Sequence, residues 1–86
     1  MTRMEVMVSA QAQQELLALP IVIRARVYQV FERLTRWPAV SGAKPLRGAL
    51  AGKFRIRTGD YRVLFRVEEK RIVVERVGHS DGLYEG

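Results

Sequence analysis

Residues 52–79, GKFRIRTGDYRVLFRVEEKRIVVERVGH, read as three consecutive antiparallel strands. Lys53, Arg55 and Arg57 alternate with Phe54 and Ile56, a period of two that sends cations to one face of a strand and apolar groups to the other. Thr58-Gly59-Asp60 is a turn by composition, and Tyr61 to Val67 is rich in the β-branched and aromatic residues that strands favour. Glu68-Glu69-Lys70 turns the chain again. Arg71 to Val77 closes the meander, and its central apolar run predicts an inner strand covered on both sides. One face of this sheet is therefore built to meet anions.

Charge distribution supports the same reading. The formal charge is +6, and the segment from Lys44 to Val67 carries seven cations against the single acid Asp60, so that segment alone equals the whole. Surfaces shaped for solubility intersperse both signs, whereas a basic block on rigid strands suits a polyanion or an acidic protein partner. With 86 residues the chain is one small domain, residues 1–86, and 48% hydrophobic composition is enough to pack a core. The absence of cysteine removes disulfides, thiolate metal sites and thiol catalysis, and fits a reducing compartment. No apolar run approaches the roughly 18–20 residues of a membrane span, and MTRMEVMV lacks the pattern of a signal peptide. A cytoplasmic protein without a membrane partner is expected.

Upstream, Met4 to Val8 is a short candidate strand with Val6 and Val8 on one side and Met7 on the other. Ser9 offers an N-cap for a helix from Ala10 to Leu19, and Pro20 ends that helix and opens the next. Ile23, Val27, Val30, Phe31 and Leu34 recur at helical spacing and predict a buried stripe, with Arg24, Arg26, Glu32, Arg33 and Arg36 on the solvated side. Trp37 and Tyr28 read as core or helix-end packing. Trp37-Pro38 closes the second helix, and Val40 to Ala51 reads as a loop. The resulting order is β-α-α-β-β-β: an α+β domain with a helical hairpin on one face of a mostly antiparallel sheet. Because the helical stripe and the apolar strand residues must meet, the cations take the open face.

Few chemistries survive this inventory. No Walker loop or Rossmann glycine pattern is present, one histidine cannot assemble a multi-histidine metal centre, and the acids are too scattered for paired-carboxylate hydrolysis. Neither a cofactor nor a metal is expected. What remains is cation chemistry on phosphate. Arg55 and Arg57 stand roughly 6.5–7 Å apart at their bases on one strand face, and guanidinium forks bind phosphate oxygens in pairs. Arg62 joins them if the register puts it on the same face. Lys44, Arg47, Lys53, Arg66 and Arg76 are further candidates for holding RNA. A single-stranded RNA brings its own nucleophile in the 2′-hydroxyl, so a site needs orientation, a charge clamp and proton transfer. His79 and Tyr84 are the two candidates for moving the proton, each with a structural alternative: a strand-end hydrogen bond for His79 and ring packing for Tyr84.

At these residues the chain resembles the RelE/ParE superfamily of toxins from bacterial and archaeal toxin–antitoxin systems. The likeness lies in Leu46-Arg47-Gly48, Phe54-Arg55-Ile56-Arg57, Gly59-Asp60-Tyr61-Arg62-Val63-Leu64-Phe65, and Val77-Gly78-His79 followed by Leu83-Tyr84. It implies a toxin neutralised by a cognate antitoxin that wraps it, within a toxin–antitoxin hetero-oligomer. In the RelE branch the toxin enters the ribosomal A site and cuts mRNA; matched by motif, Arg55, Arg57, Arg62 and Tyr84 are then the active-site residues. In the ParE branch the same fold poisons DNA gyrase without cutting RNA. One position departs from the RNA-cutting pattern: Ser80 stands where those members commonly carry arginine, so that His79 takes the role, Arg76 swings in, or activity is weak.

Overall fold

A computed structural model describes residues 3–80. Strand β1 (Glu5–Val8) leads into helix α1 (Ala10–Leu17), and α1 is followed by α2 (Ile21–Leu34). Ser9 caps α1: its Oγ accepts the Ala12 N–H at 3.0 Å, satisfying one of the orphan donors of a first turn. The helix stops at Leu17, two residues short of the sequence expectation. Pro20 disfavours helical backbone at Leu19, and the last turn tightens instead, with the Leu19 N–H on the Leu16 carbonyl at 3.1 Å. Pro20 is then the N-cap of α2, and Thr35 is its C-cap.

Three strands complete the meander predicted from residues 52–79, and a fourth lies where the sequence suggests only loop. Lys44–Pro45 forms strand β2, too short to show any periodicity, and a 3-10 turn spans Gly48–Leu50. Strands β3 (Lys53–Thr58), β4 (Tyr61–Val67) and β5 (Arg71–His79) follow. Gly59 carries φ +62° in the β3–β4 turn, a conformation that suits glycine in a tight hairpin. The sheet order is β1-β5-β4-β3-β2, and β1 runs parallel to β5 while all other neighbours are antiparallel.

Both helices lie on one face. Ala12 and Leu16 of α1 and Val27, Val30 and Leu34 of α2 are buried together with Ile56, Val63, Phe65, Ile72, Val74 and Val77 of the strands. Trp37 joins this core at the end of the helical region, edge-on to Phe54 and Phe65 at 4.9 and 5.5 Å between ring centres. Tyr28 does not: it is 49% exposed and outside the core, its ring meeting only Phe31 edge-on at 6.2 Å among the described rings. Strand β5 is an inner strand, but it is covered on one face only. Ile72, Val74 and Val77 point into the core, whereas Val73 lies beside Met7 in register and stays half-exposed. The spacing from Val74 to Val77 breaks the period of two because the β4–β5 register shifts at Leu64/Phe65, inserting one extra residue at Glu75.

Candidate anion-binding face

Strand alternation and register place the cations. Arg55 and Arg57 lie on the face of β3 opposite to buried Ile56, and Arg62 of β4 stands directly across from Arg57. Lys44 of β2 stands directly across from Arg55. Cross-strand partners are about 4.5–5.5 Å apart at Cβ, so Lys44, Arg55, Arg57 and Arg62 form a lattice of positive charge on the face that carries no helix. Arg47, just past β2, is exposed beside it.

Leu64 is the floor of this lattice. It is buried yet lies outside the core cluster, because it faces the open side. Its register partners are Arg55 and Arg76, and its same-face neighbours along β4 are Arg62 and Arg66. Long arginine stems cover apolar surface while their heads stay in water, so Leu64 gives those side chains a base to lie on. In the sequence Leu64 is one residue of the strand from Tyr61 to Val67, with no local pattern that marks it as the floor of a basic face.

The ten candidate residues separate into groups. Lys44, Arg47, Arg55 and Arg57 enter no hydrogen bond or ion pair of their side chains among the described residues. Lys53 and Arg66, directly opposite each other, are bridged by the Glu75 carboxylate, with Lys53 Nζ at 2.7 Å from Oε1 and Arg66 Nη1 on Oε2. Arg66 also donates through Nε and Nη2 to Glu68 Oε2, and Arg71 Nε donates to Glu68 Oε1 at 2.6 Å. Arg76 donates through Nε to Glu15 Oε2 of α1 at 2.8 Å.

Electrostatics follow from these contacts. Burial pushes the Glu75 carboxyl upward, but hydrogen bonds from Lys53 and Arg66 outweigh it and hold the group below the ordinary glutamate range. Glu68 is lowered in the same way by Arg71 and Arg66, and Arg66 is raised by Glu75 and Glu68. The acids that organise this end of the face, Glu68 and Glu75, look scattered in the sequence, and the pairing of β3, β4 and β5 brings them to Lys53, Arg66 and Arg71.

The proposed proton carriers are placed differently. His79 pairs with Tyr61 across β4–β5, their rings edge-on at 5.3 Å. Alternation puts it on the side opposite to Gly78 and Arg62, so the described register does not set His79 beside the arginines. Ser80, at the position of the family arginine, donates its backbone N–H to the Asp60 carbonyl at 2.9 Å, which ties the end of β5 to the β3–β4 turn. Tyr84 lies outside the described residues.

Comparison with known proteins agrees with the architecture. The chain is 41% identical over 76 residues to Toxin RelG of Mycobacterium tuberculosis, covering 85% of this chain and 86% of that one. Its fold superposes with TM-score 0.82 and 38% identity on a chain of the toxin–antitoxin complex RelBE2 from Mycobacterium tuberculosis, covering 92% of this chain and 93% of that chain. The RelB-RelE antitoxin-toxin complex of Methanococcus jannaschii shares the fold at TM-score 0.72 and 23% identity, over 87% of this chain and 91% of that one. Residues 6–84 match the family described as ParE toxin of type II toxin-antitoxin system, parDE. On sequence and fold together, the chain belongs to the RelE/ParE superfamily of type II toxin–antitoxin toxins, with an antitoxin as its partner.

Proposed function

We propose that this toxin is a ribosome-dependent mRNA endonuclease acting in the cytoplasm without a metal. The observation that carries this reading is the like-charge juxtaposition of Lys44 across from Arg55, with Arg57 next along the same strand face, on the uncovered side of a rigid sheet. Directly opposed like charges destabilise a sheet, and a face that keeps them is arranged for a ligand that relieves them. A phosphodiester does so. Arg55, Arg57 and Arg62 would hold the scissile phosphate and stabilise the charge that builds on its oxygens as the 2′-oxygen attacks phosphorus and the P–O5′ bond breaks. The 2′-hydroxyl proton must leave and the 5′-oxygen must receive one. Tyr84 and His79 remain the candidates for those transfers, and His79 needs a side-chain route around the end of β5 to take part.

The alternative, a gyrase poison without ribonuclease activity, draws on two observations: the matched family is described by ParE toxins, and Ser80 replaces the arginine of RNA-cutting members. A toeprint assay on translating ribosomes separates them. Cleavage in A-site codons, reduced about 100-fold or more by Arg62→Ala on the scale of losing one charge-stabilising donor, is the expected result. Intact mRNA together with trapped gyrase–DNA complexes would establish the alternative.

A further inference from the structure

We infer that Glu75 is a built-in competitor for phosphate, which withholds Lys53 from the anion-binding face and steers a bound polyanion toward the β2 edge at Lys44. The inference deepens the phosphate reading above and rests on it.

Three cross-strand pairs of cations lie on the open face: Lys44 with Arg55, Lys53 with Arg66, and Arg57 with Arg62. The middle one along the sequence, Lys53 with Arg66, has a carboxylate bridging both members. That carboxylate comes from the residue of β5 that the register shift leaves without a partner on β4. Without the register shift, alternation from Val73 would carry Glu75 onto the open face beside Leu64 with the later strand out of phase; with it, Glu75 and Arg76 both leave the core face and Val77 returns to it. The Glu75 side chain is only 18% exposed and its two oxygens are taken by different cations. An anion reaching Lys53 must therefore displace a preorganised, partly desolvated carboxylate. One reaching Lys44, Arg55 or Arg57 meets no competing carboxylate among the described residues, where these three have no ion-pair partner. Arg66 keeps two bonds to Glu68 whatever happens at Glu75, so the cation that Glu75 alone controls is Lys53.

The test uses the full chain and a 20-nucleotide uridine oligomer, with affinity measured from 50 to 200 mM salt. Each phosphate contact on a single strand contributes about 0.7 to the slope of log affinity against log salt, or about 2.6-fold over that range. Lys53→Met alone is expected to leave the slope unchanged, whereas Lys44→Met lowers it by about 0.7. Glu75→Gln is expected to steepen it by about 0.7, and Lys53→Met added to Glu75→Gln returns it to the wild-type value, a non-additive cycle. Near-ultraviolet circular dichroism of Trp37, packed on Phe54 and Phe65, checks that each variant is folded. A fall in slope from Lys53→Met in the wild-type background overturns the inference, and that variant decides the matter even if Glu75→Gln does not fold. No change of slope in a folded Glu75→Gln, or no binding by the wild-type chain at 50 mM salt, overturns it as well, whatever the ribosome assay gives. The expected slopes without ribosomal cleavage would remove the endonuclease reading and leave the role of Glu75 standing.

Discussion

Arg55 occupies a position where like charge works against the fold. It faces Lys44 across β2–β3 and precedes Arg57 on the same strand face, with no carboxylate paired to it among the described residues. Opposite-charge pairs across antiparallel strands contribute about 0.2–1 kcal/mol and like charges subtract a similar amount. Arg55→Glu should therefore raise stability by roughly that much, read as a higher urea midpoint at unchanged m-value. The same variant should lose binding to single-stranded RNA and, with it, toxicity. A variant that loses stability would mean the Arg55 stem over Leu64 matters more than its charge. Leu64 makes that outcome physically meaningful, because a glutamate covers less of a buried leucine than an arginine does.

At the scale of elements, β5 carries the most structure, and its existence is more legible in the sequence than its contacts. Its pairing with β1 ends at Val74 opposite Val8, so the rest of the strand on that side would be an open edge. Glu15 of α1 closes it: Oε1 accepts the Val77 N–H and Oε2 accepts Arg76 Nε, both at 2.8 Å. Removing the acceptor of a partly buried N–H costs about 1–3 kcal/mol, so Glu15→Ala should destabilise the fold by that order and speed hydrogen exchange at the Val77 amide. Glu15→Gln, which keeps an acceptor and loses the charge, should restore the amide's protection and only part of the stability; equal exchange in all three chains would refute this role. The alternation of Lys53, Arg55 and Arg57 against Phe54 and Ile56 was readable because hydrophobic periodicity is local, and so was the stripe of α2. The contacts of Glu15 and Glu75 were not, since they depend on where β1 stops and on which strands lie side by side, which no local pattern reports. Strand β2 escaped for a related reason: two residues carry no period, and Lys44 joins the face only through its pairing with Arg55.

For the whole molecule, two electrostatic effects oppose each other. Ion pairs at Glu15, Glu32, Glu68 and Glu75 stabilise the fold and weaken when salt is added. Self-repulsion from a net charge of +6, gathered between Lys44 and Val67, destabilises it and also weakens with salt. Screening acts most strongly on exposed charges and least on partly buried pairs. Glu75 at 18% and Glu15 at 23% side-chain exposure are sheltered, and the more exposed pair of Arg3 with Glu32 belongs to the class worth about 0–1 kcal/mol. The repulsive lattice of Lys44, Arg55 and Arg57 is the part that salt reaches. Raising sodium chloride from 10 to 300 mM should therefore raise the melting temperature of the isolated toxin, and Arg55→Glu should shrink that gain. A melting temperature that falls with salt would show that the ion pairs dominate.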